Sequence, residues 1–419
     1  MSLVPNGKND DMHAEVLNLA TGIVKKLKNA GFVAYFAGGW VRDHLMGNPS
    51  DDIDIATDAP PEKILDLFPR TILVGLAFGV VVVVADGHQF EVATFRRDLG
   101  YANGRAPFQI ELATAEEDAI RRDFTINGMF YDPVEHIIHD FVHGAEDLKR
   151  GLIRAIGNAD ERFVEDRLRM IRAVRFAARF GFSIDPETRE AIEASADTLF
   201  PAVALERIWQ EFVKMSRYPN FDAALIELHK LQLLPVIFPE LKGIPLHEIK
   251  ERVASFKHFP EDAGAILYVL ELFPKATTNQ VKELCRYLRI SNEELSLAEF
   301  LVLMRQSIES EHRLGIVDLC LWTHLYANPA SRRCLEVTAA KFPAQKRGDF
   351  FVRHKNRRET LQRHIERIVQ KKPLVNATIL QSQGVQPGKN MGILMKKAER
   401  LAIMNDINDV RQVLKLLEL

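Results

Sequence analysis

Residues 32–55 read FVAYFAGGWVRDHLMGNPSDDIDI, and the paired glycines and closely spaced aspartates of this stretch indicate the architecture around it. The apolar run that ends at Ala37 predicts a short strand, which Gly38-Gly39 breaks, and Trp40 to Met46 predicts a short helix. Asp52 to Ile55 alternates polar and apolar side chains, as a half-buried strand does. A strand, a glycine turn, a helix and a second strand favour a mixed α/β domain.

The chain on the C-terminal side of this stretch changes character at about residue 150. Val80 to Val84 predicts a strand buried on both faces, Asp86-Gly87 a hairpin turn, and Phe90 to Phe95 the returning strand. Beyond Gly151, helical periodicity dominates and strand signals nearly vanish. The predicted class is therefore α+β, with a mixed-sheet head followed by a long all-α part.

Length and composition are those of a globular protein with several domains. The chain has 419 residues, of which 47% are hydrophobic and 27% charged. No stretch reaches the ~18 consecutive apolar residues of a transmembrane helix, and the N-terminus lacks the features of a secretory signal, so no membrane partner is expected. Three cysteines, far apart, disfavour a disulfide framework and indicate a cytoplasmic protein.

The positive charge of the chain is concentrated in two segments, although the net charge is only -2. Residues 353–372 carry eight Lys or Arg against two Glu, and residues 162–179 carry six Arg against Glu165 and Asp166. Local basic patches of this kind are what nucleic-acid binding requires, even in a protein that is neutral overall.

The glycine turn before the short helix is a candidate phosphate site. Gly38 and Gly39 would let backbone N–H groups approach an anion at the helix N-terminus, and Arg42 in the first turn could add a charged fork. A Gly-Gly pair is also common in plain tight turns, so the pair does not identify a phosphate site by itself.

The aspartates that follow are candidate metal ligands. Asp52 and Asp54 would project from one face of a strand, where two carboxylates repel each other unless a cation such as Mg²⁺ lies between them. Glu91, on the strand that begins at Phe90, would supply a third carboxylate if that strand were the neighbour. The alternatives are a polar edge strand for the aspartates and an exposed strand residue for Glu91.

Two further clusters carry charged side chains at regular spacing. Residues 121–127, RRDFTIN, could hold a ribose and a triphosphate, or form a surface salt bridge. Asp166, Arg169, Arg172 and Arg175 follow at i+3 steps on a predicted helix, and their excess of arginine favours phosphate binding. Asp and Arg together could imitate the edge of a base, whereas the simpler interpretation is a solvated helix face with ion pairs.

Seven motifs follow one another between about residues 33 and 215: AGGWVRD, DDIDIAT, FEVATFRRD, RRDFTINGMFYD, HGAEDL, ERFVEDRLRMIRAVRFAARFGF and LERIWQEF. In this order they resemble the class II tRNA nucleotidyltransferase and bacterial poly(A) polymerase family. The resemblance implies a nucleotidyltransferase (polymerase β-like) head, followed by helical domains. The implied bounds are a head at 1–150, a neck at 151–215 that selects the nucleotide, a body at 216–310 and a tRNA-binding tail at 311–419.

The resemblance also implies roles for individual residues. Asp52 and Asp54 correspond to Mg²⁺ ligands in the catalytic centre, to which we add Glu91. The implied nucleotide-binding residues are Gly39, Arg42, Arg122, Asp166, Arg169, Arg172 and Arg175. Among them, Asp166 and Arg169 correspond to the protein template that selects C or A.

The implied activity is addition of CCA, from CTP and ATP, to the 3′ end of tRNA. A poly(A) polymerase and an enzyme that adds only CC or only A are the alternatives within the family. Residues 74–80, VGLAFGV, stand where poly(A) members tend to carry a basic segment, which favours the tRNA enzyme. A non-catalytic RNA-binding protein is the alternative from another class, but it would be expected to have lost a carboxylate.

Two other segments acquire an expected role from the resemblance. The segment Asp98–Ala113 stands at the place of a flexible loop that assists the switch to A addition, with Asn103-Gly104-Arg105 where many relatives carry Asp-Gly-Arg. The basic run 353–372 is the candidate for gripping tRNA phosphates. The sequence carries no signal for the oligomeric state.

Overall fold

The fold is that of a computed structural model, which describes residues 7–48, 50–75, 79–102 and 106–419. The chain divides into two compact units, residues 1–248 and residues 249–419. The predicted boundaries at 150 and 215 fall inside the first unit and the one at 310 inside the second. The four-domain division therefore stays a prediction.

The first unit is built on a seven-stranded mixed sheet. Its strand order is β3-β4-β5-β2-β1-β8-β9. The strands are β1 (Ala34–Ala37), β2 (Asp54–Thr57), β3 (Thr71–Gly75), β4 (Val80–Ala85), β5 (His88–Thr94), β8 (Phe130–Asp132) and β9 (Ile137–His139). A separate hairpin pairs β6 (Arg96–Ala102) with β7 (Ala106–Leu112), and β10 (Leu152–Ile153) pairs with β11 (Ser183–Ile184).

The helices account for most of the remaining chain. In the first unit they are α1 (Gly7–Asn29), α2 (Gly39–Leu45), α3 (Pro61–Leu67), α4 (Ala115–Ile120), α5 (Gly144–Arg150), α6 (Ala159–Glu165), α7 (Leu168–Phe180), α8 (Pro186–Ser195), α9 (Leu199–Ala202), α10 (Leu205–Met215), α11 (Phe221–Lys230) and α12 (Leu233–Ile237), and α13 (Leu246–Val253) begins at its end.

The second unit is helical. Its helices are α14 (Ala265–Val269), α15 (Thr278–Tyr287), α16 (Asn292–Leu314), α17 (Leu319–Ala327), α18 (Ser331–Ala339), α19 (Ala344–Thr360), α20 (Gln362–Val369), α21 (Ala377–Ser382), α22 (Lys389–Met404) and α23 (Val410–Leu416). Within residues 151–419, all of which the structure describes, strands are limited to β10 and β11. The predicted α+β class is confirmed.

The sheet and α1 share a hydrophobic core. Val24 and Leu27 of α1 and Phe36 of β1 are fully buried in it. Val81 and Val83 of β4 join the same core, since alternate strand residues point to one face. Each large apolar side chain buried in this way contributes roughly 1.5–3 kcal/mol, which fixes the register of the strands that carry the acidic residues.

The structure confirms the predicted turn at Asp86-Gly87 but not the predicted strand at Asp52. Asp86 and Gly87 both have positive φ, as the predicted tight turn between β4 and β5 requires. Asp52, however, is not in a strand, because β2 begins at Asp54, where the pairing of Ala37 with Asp54 begins. The strand assignment of Asp52 was therefore wrong.

Three smaller expectations concern other segments. The expected loop 98–113 is mostly the β6–β7 hairpin, and Asn103-Gly104-Arg105 lie outside the described residues. Residues 76–78 of the segment that bears on poly(A) activity lie outside them too. No helix among the described residues is both long and apolar enough to span a bilayer.

Candidate active site

Two adjacent strands carry two of the three candidate carboxylates. β2 and β5 are parallel, with Ile55 paired with Val92, so Asp54 and Glu91 stand one residue before that pair. Burial raises the pKa of Asp54 to about 6, with further contributions from the charges of Asp52 and Glu91. Both other carboxylates therefore act on Asp54, although Asp52 precedes the strand.

A hard cation fits this donor set. Within the described part of the chain, no group of three or more acidic, histidine or cysteine side chains has the spacing of a closed metal site. Mg²⁺ does not need one, since it is held by one or two carboxylates with waters and substrate phosphates. Burial is the main cause of the raised pKa of Asp54, and repulsion by Asp52 and Glu91, which a bound divalent cation would relieve, adds to it.

Gly38 lies between Asp54 and the arginine that faces it. Its φ is +68°, and a Cβ at this position would stand 3.2 Å from Nη1 of Arg122 and 3.9 Å from Oδ2 of Asp54. Any side chain at Gly38 would therefore crowd the gap between Arg122 and Asp54 and strain the backbone as well. Gly39 begins α2, where a Cβ would stand 3.4 Å from Nη2 of Arg42.

Arg42 is buried and held by protein groups. Its Nε lies 2.9 Å from Oδ1 of Asp43, and its Nη1 lies 2.5 Å from Oδ1 of Asn127. The guanidinium also lies over the rings of Phe176 and Phe180, and burial lowers its pKa. The Arg42 guanidinium, which the sequence analysis assigned to a phosphate, is thus bound to Asp43 and Asn127. A direct contact of Arg42 with a nucleotide stays a prediction.

Arg122 is fixed in front of the carboxylates by Asp118. Its Nε and Nη2 lie 3.2 and 3.0 Å from Oδ2 of Asp118, and its Nη1 lies 3.4 Å from the carbonyl oxygen of Asn127. The charge of Arg122 lowers the pKa of Asp54, against the effects of burial and of the other carboxylates. Arg122, one of the predicted nucleotide-binding arginines, thus acts on Asp54.

Asp123 connects the head to α7. The carboxylate accepts from Nε and Nη2 of Arg172 at 2.8 and 2.6 Å and from the Asn127 amide at 3.1 Å. Burial would raise the pKa of Asp123, but Arg172 and Asn127 outweigh it and hold the pKa at about 2. Because Asn127 also binds Arg42, one hydrogen-bonded chain joins Arg42, Asn127, Asp123 and Arg172.

Asp166 departs from the predicted helix. It lies in the break between α6 and α7, with extended backbone angles, and accepts the backbone N–H of Leu168 at 3.0 Å. The i+3 series on one helix face therefore begins at Arg169 rather than at Asp166. Asp166 is instead bound by Arg207 of α10, a contact that the sequence did not reveal.

Arg169 is bound on three sides. Its Nη1 lies 2.6 Å from Oε2 of Glu165 and 3.1 Å from the carbonyl oxygen of Arg162, and its Nη2 lies 3.0 Å from the carbonyl oxygen of Arg121. Asp166 and Arg169 are thus two polar side chains at the start of α7, each aimed by other protein groups. Recognition of a base edge requires an acceptor and a donor, which these two residue types supply.

The other arginines of α7 also have acidic partners. Arg175 is buried and donates through Nε to Glu211 at 2.5 Å, and Arg179 lies 3.2 Å from Asp43. Glu211 and residues of the head thus partly compensate the positive charge of this helix, and its binding of phosphate stays a prediction. The motif LERIWQEF contains Arg207 and Glu211, and its position after the basic helix was the one available signal for these partners.

The basic run 353–372 spans α19 and α20 of the second unit. Arg357 is bound by both oxygens of Glu311, at 2.8 and 2.6 Å, and Arg367 binds Asn408. The remaining six are exposed: Arg353, Lys355, Arg358, Arg363, Lys371 and Lys372. The run is therefore partly internal and partly available at the surface.

Known proteins resemble the chain along nearly its whole length. Residues 34–154 match the family described as "Poly A polymerase head domain", and residues 181–244 match "Probable RNA and SrmB- binding site of polymerase A". The CCA-adding enzyme of Ligilactobacillus salivarius is 33% identical over 398 residues, which cover 94% of each protein. That of Geobacillus stearothermophilus is 43% identical over 242 residues, or 58% of each.

Solved structures agree with these relatives. The crystal structure of the Bacillus stearothermophilus CCA-adding enzyme in complex with CTP is 27% identical, with a TM-score of 0.75, over 96% of this chain and 98% of that one. The Thermotoga maritima CCA-adding enzyme complexed with tRNA shares the fold, with a TM-score of 0.68 at 21% identity over 96% of each chain. The head therefore has the nucleotidyltransferase fold that the motifs implied.

Proposed function

The chain belongs to the CCA-adding enzyme family, and from this premise we propose which of its residues carry the reaction. Its function is the template-independent addition of CCA, from CTP and ATP, to the 3′ end of tRNA. The observation that carries the assignment of the active centre is geometric: the parallel pairing of β2 with β5 places Asp54 beside Glu91, and Gly38 lies between Asp54 and Arg122. We place the reaction in the cytoplasm, where the three free cysteines would stay reduced.

Divalent-metal dependence follows from the family, and we propose Mg²⁺ as the ion. Asp52 and Asp54 would hold it, with Glu91 as a third carboxylate beside Asp54. The chemistry supplied by Mg²⁺ when bound is a lower pKa for the RNA 3′-hydroxyl and neutralisation of charge on the pyrophosphate. Gly38 keeps the gap between Asp54 and Arg122 free of a side chain.

The arginines would orient the triphosphate. Arg122 is fixed by Asp118 with its Nη1 beside Gly38, so it would meet the phosphates next to the carboxylates. The guanidinium planes of Arg172 and Arg175 are set by Asp123 and Glu211, and their other N–H groups would donate to phosphate oxygens. Arg42 would act with Gly39 at the N-terminus of α2. In phosphoryl transfer, such positioning and charge stabilisation supply most of the catalysis.

Asp166 and Arg169 would choose the nucleotide. Cytosine and adenine both present an amino group beside a ring nitrogen that accepts, whereas guanine and uracil present a carbonyl beside an N–H. A carboxylate that accepts and a guanidinium that donates therefore complement C and A and oppose G and U. Arg207 and Glu165, which hold these two side chains, would set their separation.

The decisive assay sequences the products formed on three RNAs. The purified protein receives Mg²⁺, all four nucleoside triphosphates and either a tRNA that lacks CCA, a tRNA that ends in CC, or an unstructured primer. We expect CCA on the first, A on the second and nothing on the third. Long A tails on any primer would instead assign the activity of a poly(A) polymerase, and addition of only CC or only A would assign a partial enzyme. Inactivity on all three would leave a non-catalytic RNA-binding protein.

A further inference from the structure

A buried carboxylate outside the predicted site joins several parts of the head. Asp118 of α4 is 1% exposed, and three arginines bind its carboxylate. Oδ1 accepts from the backbone N–H of Arg96 at 3.2 Å and from Nε and Nη2 of Arg121 at 2.9 and 2.7 Å. Oδ2 accepts from Nε and Nη2 of Arg122 at 3.0–3.2 Å. Both carboxylate oxygens therefore accept hydrogen bonds, Oδ1 from Arg96 and Arg121 and Oδ2 from Arg122.

The first of these elements is the 96–112 hairpin, formed by β6 and β7. Arg96 is its first residue, and both backbone polar groups of Arg96 are held from α4 and the turn after it. The N–H goes to Asp118, and the carbonyl oxygen accepts Nε of Arg121 at 3.1 Å. Asp118 and Arg121 therefore fix the point at which the hairpin leaves β5.

The second element is the arginine that faces the carboxylate cluster. Asp118 binds Arg122 through two of its nitrogen atoms, which fixes the plane of the guanidinium. Arg121, held by the other oxygen, offers its carbonyl oxygen to Nη2 of Arg169 at 3.0 Å. A shift of Asp118 would therefore move Arg122 directly and Arg169 through the Arg121 backbone.

We propose that Asp118 is a positioning residue that couples the base of the 96–112 hairpin to Arg122. Movement of the hairpin at Arg96 is transmitted through one buried carboxylate to the arginine beside Asp54. Burial disfavours the charged form of Asp118, but Arg122 and Arg121 hold its pKa below the usual value. The carboxylate therefore stays ionised between the hairpin and Arg122. The proposal rests on the proposed function only in assigning Arg122 to the nucleotide phosphates.

The test measures hydrogen exchange in peptides covering residues 95–102 and the equilibrium affinity for CTP and for ATP. The variants are Asp118→Asn, which keeps the shape and loses the charge, and Asp118→Glu, which keeps the charge and shifts it. Glu116→Gln, an exposed change on the same helix, controls for charge. Asp132→Asn controls for reduced stability, since Asp132 is buried and bound to Lys28 away from the hairpin base.

We expect Asp118→Asn to speed exchange at residues 95–102 and to weaken CTP and ATP alike, by about tenfold or more, because Arg122 is deprived of a charged hydrogen-bonding partner. Asp118→Glu should change the exchange rate and the nucleotide affinity in the same direction as Asp118→Asn, but by less. If Asp118→Asn does not fold, the result with Asp118→Glu tests the coupling. Neither control should change either quantity.

A change in exchange without a change in affinity, or the reverse, would overturn the coupling. The same change in both quantities with Asp132→Asn would reduce Asp118 to a purely structural residue. Neither measurement needs turnover, so the result is independent of the tRNA assay. If the unsubstituted protein bound neither nucleotide, the proposed function would fail, whereas unchanged exchange in Asp118→Asn would still refute the coupling.

Discussion

Arg207 holds Asp166 by both carboxylate oxygens, with Nη1 3.3 Å from Oδ1 and Nη2 2.8 Å from Oδ2. The two residues are 41 positions apart, one in the break between α6 and α7 and the other in the first turn of α10. A bidentate pair fixes the direction of a carboxylate as well as its charge. The acceptor proposed to recognise the base is therefore oriented by a residue that itself need not touch the nucleotide.

The first prediction concerns nucleotide choice. Replacing Arg207 by Leu should raise misincorporation of G and U by about tenfold or more, since a carboxylate free to rotate no longer opposes a carbonyl at a fixed position. Arg169→Ala should do the same because it removes the donor. The measurement is the sequence of products made with each nucleoside triphosphate alone and in competition.

The control for this prediction is Arg217→Gln, an exposed arginine close to α10. It should leave selectivity unchanged. An equal loss of activity with all four nucleotides in Arg207→Leu, without a change in their ratios, would assign Arg207 to stability and not to selection.

The second prediction concerns Asp54 and pH. Its pKa in the folded protein, about 6, lies above the ordinary value of 3.8, so protonation favours the folded state. Without divalent metal, the stability that Asp54 contributes should be present at low pH and lost as the pH rises through 6. Mg²⁺ should reverse this loss, and it should raise the melting temperature more at pH 7.5 than at pH 5.5.

Asp54→Ala should abolish addition while the fold survives, and its melting temperature should no longer respond to Mg²⁺. Asp86→Asn, in the exposed turn between β4 and β5, is the matched control and should behave as the unsubstituted protein. Activity retained by Asp54→Ala in the presence of Mg²⁺ would contradict the metal assignment. Differential scanning fluorimetry at the two pH values and a primer-extension assay suffice.

The strands of the site could be predicted because their signals are local. The valines of β4, the Asp86-Gly87 turn and the alternation around Asp54 each indicate their own conformation. Glu91 needed one long-range fact, the parallel pairing of β2 with β5, and the prediction left it conditional for that reason. The strand assignment of Asp52 failed because pairing with β1, which the sequence does not show, begins only at Asp54.

The charges of α7 could not be predicted from its own sequence. Arg172, Arg175 and Arg179 look like excess charge because their partners come from the head and from α10. Ion pairs between residues so far apart leave no periodic signal. The family resemblance placed the functional residues in order, but the structure was needed to show which carboxylate holds each arginine.

The third prediction concerns the stability of the second unit. His354 is buried, and its Nδ1 forms a hydrogen bond with the Tyr326 hydroxyl at 2.7 Å. The charges of Arg357, Arg353 and Glu311 act on its imidazole. Burial, together with the two arginines, lowers its pKa to about 4. As the pH falls from 6.5 towards 4, His354 becomes protonated in the unfolded chain but stays neutral in the folded chain. The free energy of unfolding therefore falls by up to about 3 kcal/mol.

Urea unfolding at pH 7.5 and 5.0 measures this effect. His354→Gln should lose less stability between the two pH values than the unsubstituted protein does, whereas His312→Gln, an exposed change in the same unit, should not differ from it. Identical pH dependence in His354→Gln would show that other groups cause the loss.

The fourth prediction concerns the grip on tRNA. Arg357 and Arg367 are engaged with Glu311 and Asn408, so a test of the basic run should leave them in place. The residues to replace by Gln are Arg358, Arg363, Lys371 and Lys372, all of them exposed. For every phosphate that is no longer neutralised, the slope of log affinity against log salt should fall by roughly 0.7 to 0.9, because fewer counterions are released on binding.

Removal of four positive charges elsewhere in the chain separates phosphate binding by the basic run from a general effect of net charge. The control replaces by Gln the exposed residues Lys25, Lys63, Arg217 and Lys250. Binding titrations at four or more salt concentrations should give a flatter slope for the first variant and an unchanged slope for the control. Equal slopes for both variants and the unsubstituted protein would make the basic run a solvated helix surface, and the phosphate-binding groups would have to be sought among other cations of the chain.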